Sequence, residues 1–339
     1  FCPAIDPSRF VMNGFLLAWK RLSPFLFLAG LTMLPAAAQP GSPTPFSVLT
    51  LEPSARSAAL GGSRGITLDN DVAIFFHNPA ALNSATSGSL SLSYLNHIGD
   101  INAGFVAFGM DVPALGSMAV GLRYLNWGTI EGADDQGSST GSFGASDVVL
   151  SLSGAMEYAD GLRLGATVHG ILSTIESYSS SAVAADAGIL WSLNSGRSTI
   201  GAVVHHVGTT FSQFGGEDDR LPTDLRLTVT HRLQHLPLQL SVTGRNLQAP
   251  GDSREDLDGF AAALRHMSVG GEFQFSEAFN LRVGYNHQRH QDLKMNTRLD
   301  LAGVGMGFGL KVNRFFLDYA FNSWSSLGGL HQLSIRTTV

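Results

Sequence analysis

The chain beyond residue 87 alternates apolar and polar residues at almost every second position. In one such run, Leu162 and Leu164 alternate with Arg163 and Gly165. Successive side chains of a β-strand point to opposite faces, so this pattern predicts strands with one apolar face and one polar face.

Fourteen runs of this kind follow one another to the end of the chain. Most are near ten residues long, which is about the length that a tilted strand needs to cross a bilayer. The predicted strands are 88–96, 102–111, 116–127, 147–157, 161–173, 183–193, 198–207, 223–233, 237–246, 264–275, 278–288, 299–311, 313–323 and 328–338.

The connections between these strands alternate in length. They are tight after the even-numbered strands, for example VPALG and YADG, and most are long after the odd-numbered strands. An up-and-down outer-membrane barrel has short periplasmic turns and long extracellular loops, whereas a soluble sandwich has no reason for this alternation. The sequence therefore predicts an all-β fold, a transmembrane antiparallel β-barrel of about 14 strands over residues 88–339. The predicted long loops are 128–146, 174–182, 208–222, 247–263 and 289–298.

Residues 39–87 lack the alternation and contain instead one short predicted helix near Ala55 to Leu60 and several Gly and Asn-Pro turns. Because this segment precedes the first strand, we expect it to lie in the lumen or under the periplasmic mouth as a plug. Residues 1–38 contain a basic region, an apolar run from Phe25 to Leu34 and an Ala36-Ala37-Ala38 cleavage site. They are interpreted as a secretory signal peptide, with Met12 as the expected start and 1–11 as an upstream over-read.

Composition narrows the class of protein further. The chain of 339 residues is 44% hydrophobic and 14% charged, which is too apolar for a disordered protein. Removal of 1–38 would change the net charge from -6 to about -8, so nucleic acid is not an expected partner. The single cysteine, Cys2, precedes the predicted cleavage site, so no disulfide or lipid anchor is expected. No apolar run after Gln39 reaches the roughly 18 residues of a spanning helix.

Polar and small residues on the inward faces of the predicted strands are candidates for lining the lumen. In a barrel they form a solvated lumen with mutual ion pairs, or alternatively an electrostatic lining for a ligand or for the plug. Glycines at every second position of the strand 299–311 would leave space for a plug, a ligand or a partner chain, while Ala302, Val304, Met306, Phe308 and Leu310 face lipid. The candidate lining residues are Arg123, Arg163, Arg226, Arg245, Glu272, Arg282, Gly303, Gly305, Gly307 and Gly309.

The candidate metal and catalytic motifs of the sequence have simpler interpretations. Asp134, Asp135 and Gly137 lack the ligand spacing and distal Glu of a calcium loop, so a hydrated loop is expected. The histidine pairs are 205/206, 231/235 and 287/290. Adjacent or three-apart residues on a strand point to opposite faces, and loop-end or lumen histidines are the simpler interpretation, so no metal or cofactor site is expected. No GxSxG, P-loop, HExxH or CxxC motif is present, and no enzyme is predicted.

Two motifs carry a resemblance to a known family. LEPSARSAALGG followed by HNPAAL is similar to the N-terminal segment of the PorV/PorQ family and, more loosely, of the FadL-like fatty-acid transporters. The stretch YLNWGTIEGADDQGSSTGSFGASD resembles the corresponding loop of PorQ-type members in particular. The matching plug residues are Ala55, Arg56, Gly61, Gly62, Asn78, Pro79 and Ala80, and the matching loop residues are Gly128, Gly137, Gly141, Phe143, Ala145 and Asp147.

The resemblance implies a function as well as a fold. PorV/PorQ proteins are outer-membrane components of the type IX secretion system of Bacteroidota, so the expected partners are outer-membrane lipid and translocon subunits or cargo proteins. The alternative is a FadL-like outer-membrane transporter, for which the lumen would bind a hydrophobic small molecule.

Overall fold

The computed structural model describes residues 46–133, 136, 138–212, 219–249, 263–293, 301–324 and 328–339. The predicted signal peptide and the first residues of the predicted plug lie outside these ranges. In the described residues, fourteen antiparallel strands form a closed barrel in which each strand pairs with the next and β14 pairs with β1. The predicted fold class is therefore confirmed.

The strands are long on one side of the barrel and shorter on the other. Their bounds are β1 Ser89–Asn96, β2 Asn102–Val112, β3 Gly116–Ala133, β4 Ser139–Ala159, β5 Leu162–Ile175, β6 Tyr178–Leu193, β7 Ser198–Ser212, β8 Asp224–Arg232, β9 Leu238–Gly244, β10 Met267–Gln274, β11 Phe279–Asn286, β12 Val304–Val312, β13 Phe315–Ser323 and β14 Gly329–Thr338.

Two of the predicted loops are strand extensions instead. Strands β3 and β4 remain paired as far as Ala133 and Ser139, so most of the predicted loop 128–146 is a protruding β-ribbon. Likewise β5 and β6 pair up to Ile175 and Tyr178, so the predicted loop 174–182 contains a tight turn. Backbone hydrogen bonds continue there without apolar alternation, because a ribbon beyond the barrel has neither a lipid face nor a core face.

The alternation of the strands separates an apolar exterior from a buried interior. Leu150 is 63% exposed and Leu172 is 59% exposed, whereas the adjacent Val149 and Ile171 are almost fully buried. The exterior thus carries a contiguous apolar surface of the kind that lipid covers in a membrane barrel.

Residues 46–88, called the plug below, run through the lumen and are mostly buried. They include helix α1, Ala55–Ala59, and 3₁₀ turns at Ser47–Leu49, Val72–Phe76, Pro79–Ala81 and Ser84–Thr86. Ser54 caps the start of α1 by accepting a hydrogen bond from the Ser57 N–H. At its end, the Gly61 N–H donates to Ala58 O and the Gly62 N–H to Ser57 O, which is a Schellman motif.

Side-chain caps, rather than long helices, fix the backbone path of the plug. Asp71, Asn78 and Asn83 each accept a hydrogen bond from the backbone N–H two residues further on, and each starts a 3₁₀ turn. A second helix, α2 His287–Leu293, follows β11. Among the described residues, no helix combines the length and the apolar character that crossing a membrane would require.

Candidate functional site in the lumen

The plug is fixed to one side of the barrel by a buried network of charged side chains. The Arg56 guanidinium of α1 forms a bidentate pair with Glu272 of β10, at 2.9 and 3.2 Å, and a further bond of 2.7 Å to Asp69. Glu272 is shared with Arg282 of β11, whose Nη1 lies 2.6 Å from Asp318 Oδ1. Removing Glu272 would leave Arg56 and Arg282 buried with one carboxylate partner fewer each, which is costly for a buried charge.

The same network continues inside the plug. The Arg64 Nη2 atom lies 2.6 Å from Asp71 Oδ2, and Arg336 of β14 approaches the same carboxylate at 3.5 Å. Arg56 Nη1 of α1 lies 3.7 Å from the same oxygen, and Asp71 also caps the turn at Val72–Phe76, so one carboxylate links α1, this turn and the wall. The inward-facing arginines therefore hold the plug, which is one of the two roles weighed from the sequence.

A second ionic contact fixes the plug ahead of α1. Glu52 Oε1 accepts a hydrogen bond of 2.9 Å from Arg245, which also donates to Gly62 O. Burial alone would raise the pKa of the Glu52 carboxyl, but the charges of Arg245 and Arg226 lower this pKa to about 2. Burial lowers the pKa of the nearby His77 to about 3, so its imidazole is neutral at neutral pH.

Glycines of β12 make room for α1. A Cβ atom at Gly305 would lie 2.6 Å from Ala58 O, and one at Gly307 would lie 2.7 Å from Ala59 Cβ. At Gly309 the space is taken by the Asp318 and Arg282 side chains. The backbone of β12 and helix α1 thus lie closer together than a side chain at these glycine positions would allow.

The first residues of the predicted strand 299–311 do not continue this pattern. Gly303 lies in a turn before β12, with φ +80°, and Ala302 is fully buried rather than facing lipid. The turn interrupts the period of two, and so residues before Val304 cannot be assigned to a face by counting. From Met306 onward, the side chains that alternate with the glycines do point outward.

The Asn-Pro-Ala motif is seated against the opposite wall. The Asn78 Nδ2 atom donates to Ile189 O and Ala202 O, at 3.2 and 3.3 Å, while its Oδ1 accepts from the Ala80 N–H at 2.9 Å. Gly165 and Gly188 leave the space for this turn. The Arg163 guanidinium donates to the carbonyls of Ala80 and Leu82, which terminates the turn.

The lumen is apolar at the end that carries the long connections, called the loop end below. Phe46, Val48 and Leu49 of the plug fill a chamber whose wall is made of inward-facing apolar side chains. We call it the apolar chamber; its buried wall residues are Leu95, Ala103, Phe105, Leu125, Val149, Ile171, Ala182, Ala184 and Leu330, and Trp127 and Trp324 pack against them. An inward apolar surface of this kind departs from the polar lumen of a water-filled porin.

The opposite end, with the tight turns, contains an open cavity of about 930 Å³. Leu68 and Asp69 of the plug form one side of it, and Arg163, Trp191 and Arg232 of the wall contribute to the other. The plug therefore separates an apolar chamber at one end from a mixed, solvent-accessible cavity at the other.

The remaining predicted lumen residues also lie at the plug. Arg123 donates a hydrogen bond of 3.1 Å to Leu49 O, and its guanidinium lies 4.4 Å from the centre of the Phe76 ring. Arg226 pairs with Asp224 of β8 and lines a small space with Leu49 and Glu52 of the plug.

The loop motif is spread over the β3–β4 ribbon rather than gathered into a site. Gly128, with φ +73°, lies at a bulge, and Gly141, with φ +109°, is exposed near the tip. Phe143 is half-buried, whereas Ala145 and Asp147 are buried, and Asp147 accepts a hydrogen bond from Ser173. Gly137 lies outside the described residues, as do Asp134 and Asp135.

The geometric argument against paired histidines is wrong for two of the three pairs. His205 and His206 are both buried in the lumen with ring centroids 5.3 Å apart, because a β-bulge places both opposite Asp186. His287 and His290 lie on helix α2, not on a strand, with ring centroids 6.3 Å apart. His231 and His235 are exposed and lie at the turn end.

Sequence reasoning missed several of the charged residues described above. Asp186, Asp318 and Arg336 are on inward-facing positions of predicted strands, so strand parity could have identified them. The acids Glu52, Asp69 and Asp71 carry no such signal, because the plug has no repeating pattern.

Comparison with known proteins adds information about the fold. No family model and no curated protein matches the sequence. Among solved structures, the Pseudomonas putida toluene transporter TodX is 13% identical, with a TM-score of 0.52 over 84% of this chain and 96% of that one. A TodX deletion mutant, described as a monoaromatic hydrocarbon channel, has a TM-score of 0.53 at 13% identity, over 84% and 99% of the two chains. A Pseudomonas aeruginosa FadL homologue is 12% identical over 88% of this chain and 99% of that chain, with a TM-score of 0.49. At this level of identity the likeness to TodX shows that the two proteins share the barrel fold.

Proposed function

We propose that this protein is an outer-membrane channel that binds and takes up an uncharged hydrophobic small molecule. An outer-membrane location is supported by the closed barrel with its apolar exterior and by the fold shared with TodX. TodX is itself named a toluene transporter, which makes a small hydrocarbon the first ligand to test.

The observation that carries the proposal is the apolar chamber. Its wall is lined by buried aliphatic and aromatic side chains in a lumen whose other buried residues include many charged ones. Burying apolar surface stabilises a complex by about 25 cal/mol per Å², so such a wall favours a hydrophobic ligand over an ion or a sugar.

The part of the plug that fills the chamber, residues 46–51, contains no charged side chain. The turn Ser47–Leu49 has no side-chain cap, and its polar contacts with the wall include hydrogen bonds from Arg123 to Leu49 O and from the Val48 backbone N–H to Asp147. In contrast, α1 and the turns after it are held by the buried charges around Arg56 and Asp71. A ligand entering from the loop end would therefore displace Phe46, Val48 and Leu49 before it disturbs the rest of the plug.

Two adjacent residues of β5 provide a matched test. Ile171 faces the chamber and is buried, whereas Leu172 faces outward. We expect Ile171→Thr to weaken binding of toluene to the purified protein by roughly tenfold, since it removes buried apolar surface and adds a hydroxyl. Leu172→Thr, which makes the same change on the other face, should leave the affinity unchanged. Equal affinities of the wild type and Ile171→Thr would place the ligand elsewhere.

The secretion function implied by the sequence resemblance stays a prediction. It is supported by the loop motif, whose described residues lie on the β3–β4 ribbon that protrudes from the barrel. Crosslinking from this ribbon in the native host tests it, because translocon subunits or cargo proteins should be recovered with the barrel. Recovery of the barrel alone would remove that candidate.

A further inference from the structure

Four buried side chains meet at the bulge between β6 and β7. Asp186 Oδ2 lies 2.8 Å from His205 Nδ1 and 3.1 Å from His169 Nε2 of β5, while Asp186 Oδ1 accepts a hydrogen bond from the His206 backbone N–H. His169, Asp186 and His206 each offer one ligand atom, and these three atoms lie within 4.8 Å of one another. All four side chains are at most 3% exposed.

The second nitrogen of each histidine already faces an oxygen outside the group. His206 Nδ1 lies 3.1 Å from Pro222 O, and His205 Nε2 lies 3.1 Å from His77 O. Carbonyl oxygens only accept hydrogen bonds, so these two nitrogens carry the protons, which leaves lone pairs on His206 Nε2 and His205 Nδ1 in the neutral imidazoles. His169 Nδ1 is likewise within 2.8 Å of Ser151 Oγ. This arrangement of outer oxygen contacts is typical of histidines that ligate a metal.

The lone pair of His206 needs a partner. Its Nε2 atom is buried and has no hydrogen-bond partner among the described residues. A buried polar atom without a partner costs about 1–3 kcal/mol, and in a native structure it indicates an ion or a water. The cluster around Asp186 supplies the negative charge that a cation requires.

We propose that His169, Asp186 and His206 bind a divalent transition-metal ion, and that zinc fits best, while His205 contacts the Asp186 carboxylate. Imidazole nitrogens and a carboxylate are zinc ligands at about 2.0–2.2 Å, so tetrahedral ligand atoms lie about 3.3 Å apart. The separation of 3.1 Å between His169 Nε2 and Asp186 Oδ2 is close to this value. The three protein ligands leave one of the four tetrahedral positions to a water molecule.

The cluster lies where the barrel wall meets the plug, so a bound ion would stabilise this contact. His205 reaches the plug through His77 O, and Asp186 and His206 hold the bulge in which His206 has φ +56°. Arg123 lines the same small space, but its guanidinium lies over Phe76 and donates to Leu49 O. The ion would therefore connect three strands of the wall to the plug near its Asn-Pro-Ala turn.

Metal content and thermal stability of the full-length protein test this proposal. The protein is purified in detergent without a histidine tag, treated with a chelator, and titrated with zinc chloride, with nickel and copper salts in parallel. We expect about one zinc ion per chain by mass spectrometry and a higher thermal midpoint with zinc. Cobalt in place of zinc should give the visible absorption bands of a tetrahedral site.

Matched variants assign the metal to this cluster. His206→Asn should lose the tight zinc and its thermal effect, while His266→Asn should retain both, because His266 is also a buried histidine, 9% exposed, but contacts Arg245 O and lies outside the cluster. His169→Asn serves as a second ligand variant if His206→Asn does not fold. Failure of the folded wild type to bind any of the three metals would overturn the proposal, as would unchanged zinc binding in a folded ligand variant. Neither result depends on whether the chamber binds a hydrophobic molecule.

Discussion

Single charged residues determine where the plug sits in this barrel. Arg56 is the clearest case, because its guanidinium has carboxylate partners on both the plug and the wall. A charge buried in this way is tolerated only when it is paired, so each pair selects one position of the plug over its alternatives.

The Glu52 carboxylate gives a pH dependence with a defined sign. Its pKa of about 2 in the folded protein lies below the usual 4.5, so the ionised form stabilises the fold at higher pH. This contribution is present above about pH 4.5 and is lost as the pH falls through 2, up to about 3 kcal/mol in total. We expect the free energy of unfolding in detergent to fall less steeply between pH 4.5 and 2 in Glu52→Gln than in the wild type. Identical pH profiles would show that Glu52 is not ionised beside Arg245.

The close packing of helix α1 on strand β12 depends on a glycine, Gly305. Gly305→Ala would place a Cβ atom 2.6 Å from Ala58 O, and so α1 or β12 must move. We expect it to destabilise the barrel by about 1–3 kcal/mol, the usual cost of overpacking. Gly170→Ala on β5 is the matched control, because its Cβ would meet nothing within 4 Å. The measurement is the urea midpoint of both variants, and an equal effect at the two positions would contradict the close packing of α1 on β12.

The elements themselves were largely predictable from the sequence. Alternation identified all fourteen strands, because every strand separates lipid from lumen and must change side at each residue. It failed where that constraint ends, in the polar β3–β4 ribbon and before β12. It failed also at the bulge of His205 and His206, because an inserted residue breaks the period of two without a signal in composition.

The candidate site was predictable only in part. Inward arginines such as Arg123 and Arg282 follow from strand parity, and the plug motif marked Arg56 and Asn78. Which acid each arginine meets depends on how the plug folds across the lumen, over sequence separations of about 200 residues in the case of Arg56 and Glu272. The apolar chamber was not recognised, since its wall residues read as part of strands whose inward face was expected to be polar.

At the scale of the whole molecule, the plug divides the lumen into an apolar chamber at the loop end and an open cavity at the turn end. Charges hold its middle, while its first residues occupy the apolar chamber at the loop end. Under the proposed uptake function, a ligand entering at the loop end would displace Phe46, Val48 and Leu49 while the ion pairs of Arg56 stay in place.

The most direct test of this account is quenching of tryptophan fluorescence by a brominated monoaromatic hydrocarbon. Trp127 and Trp324 pack against the chamber, whereas Trp191 is 51% exposed at the turn end. We predict saturable quenching in the wild type that toluene reverses, that persists in Trp191→Phe, and that is lost when Trp127 and Trp324 are both replaced by Phe. Quenching that is lost in Trp191→Phe, or that does not saturate as the hydrocarbon concentration rises, would show that the hydrocarbon partitions into the surrounding detergent. Either result would contradict a hydrophobic site in the lumen.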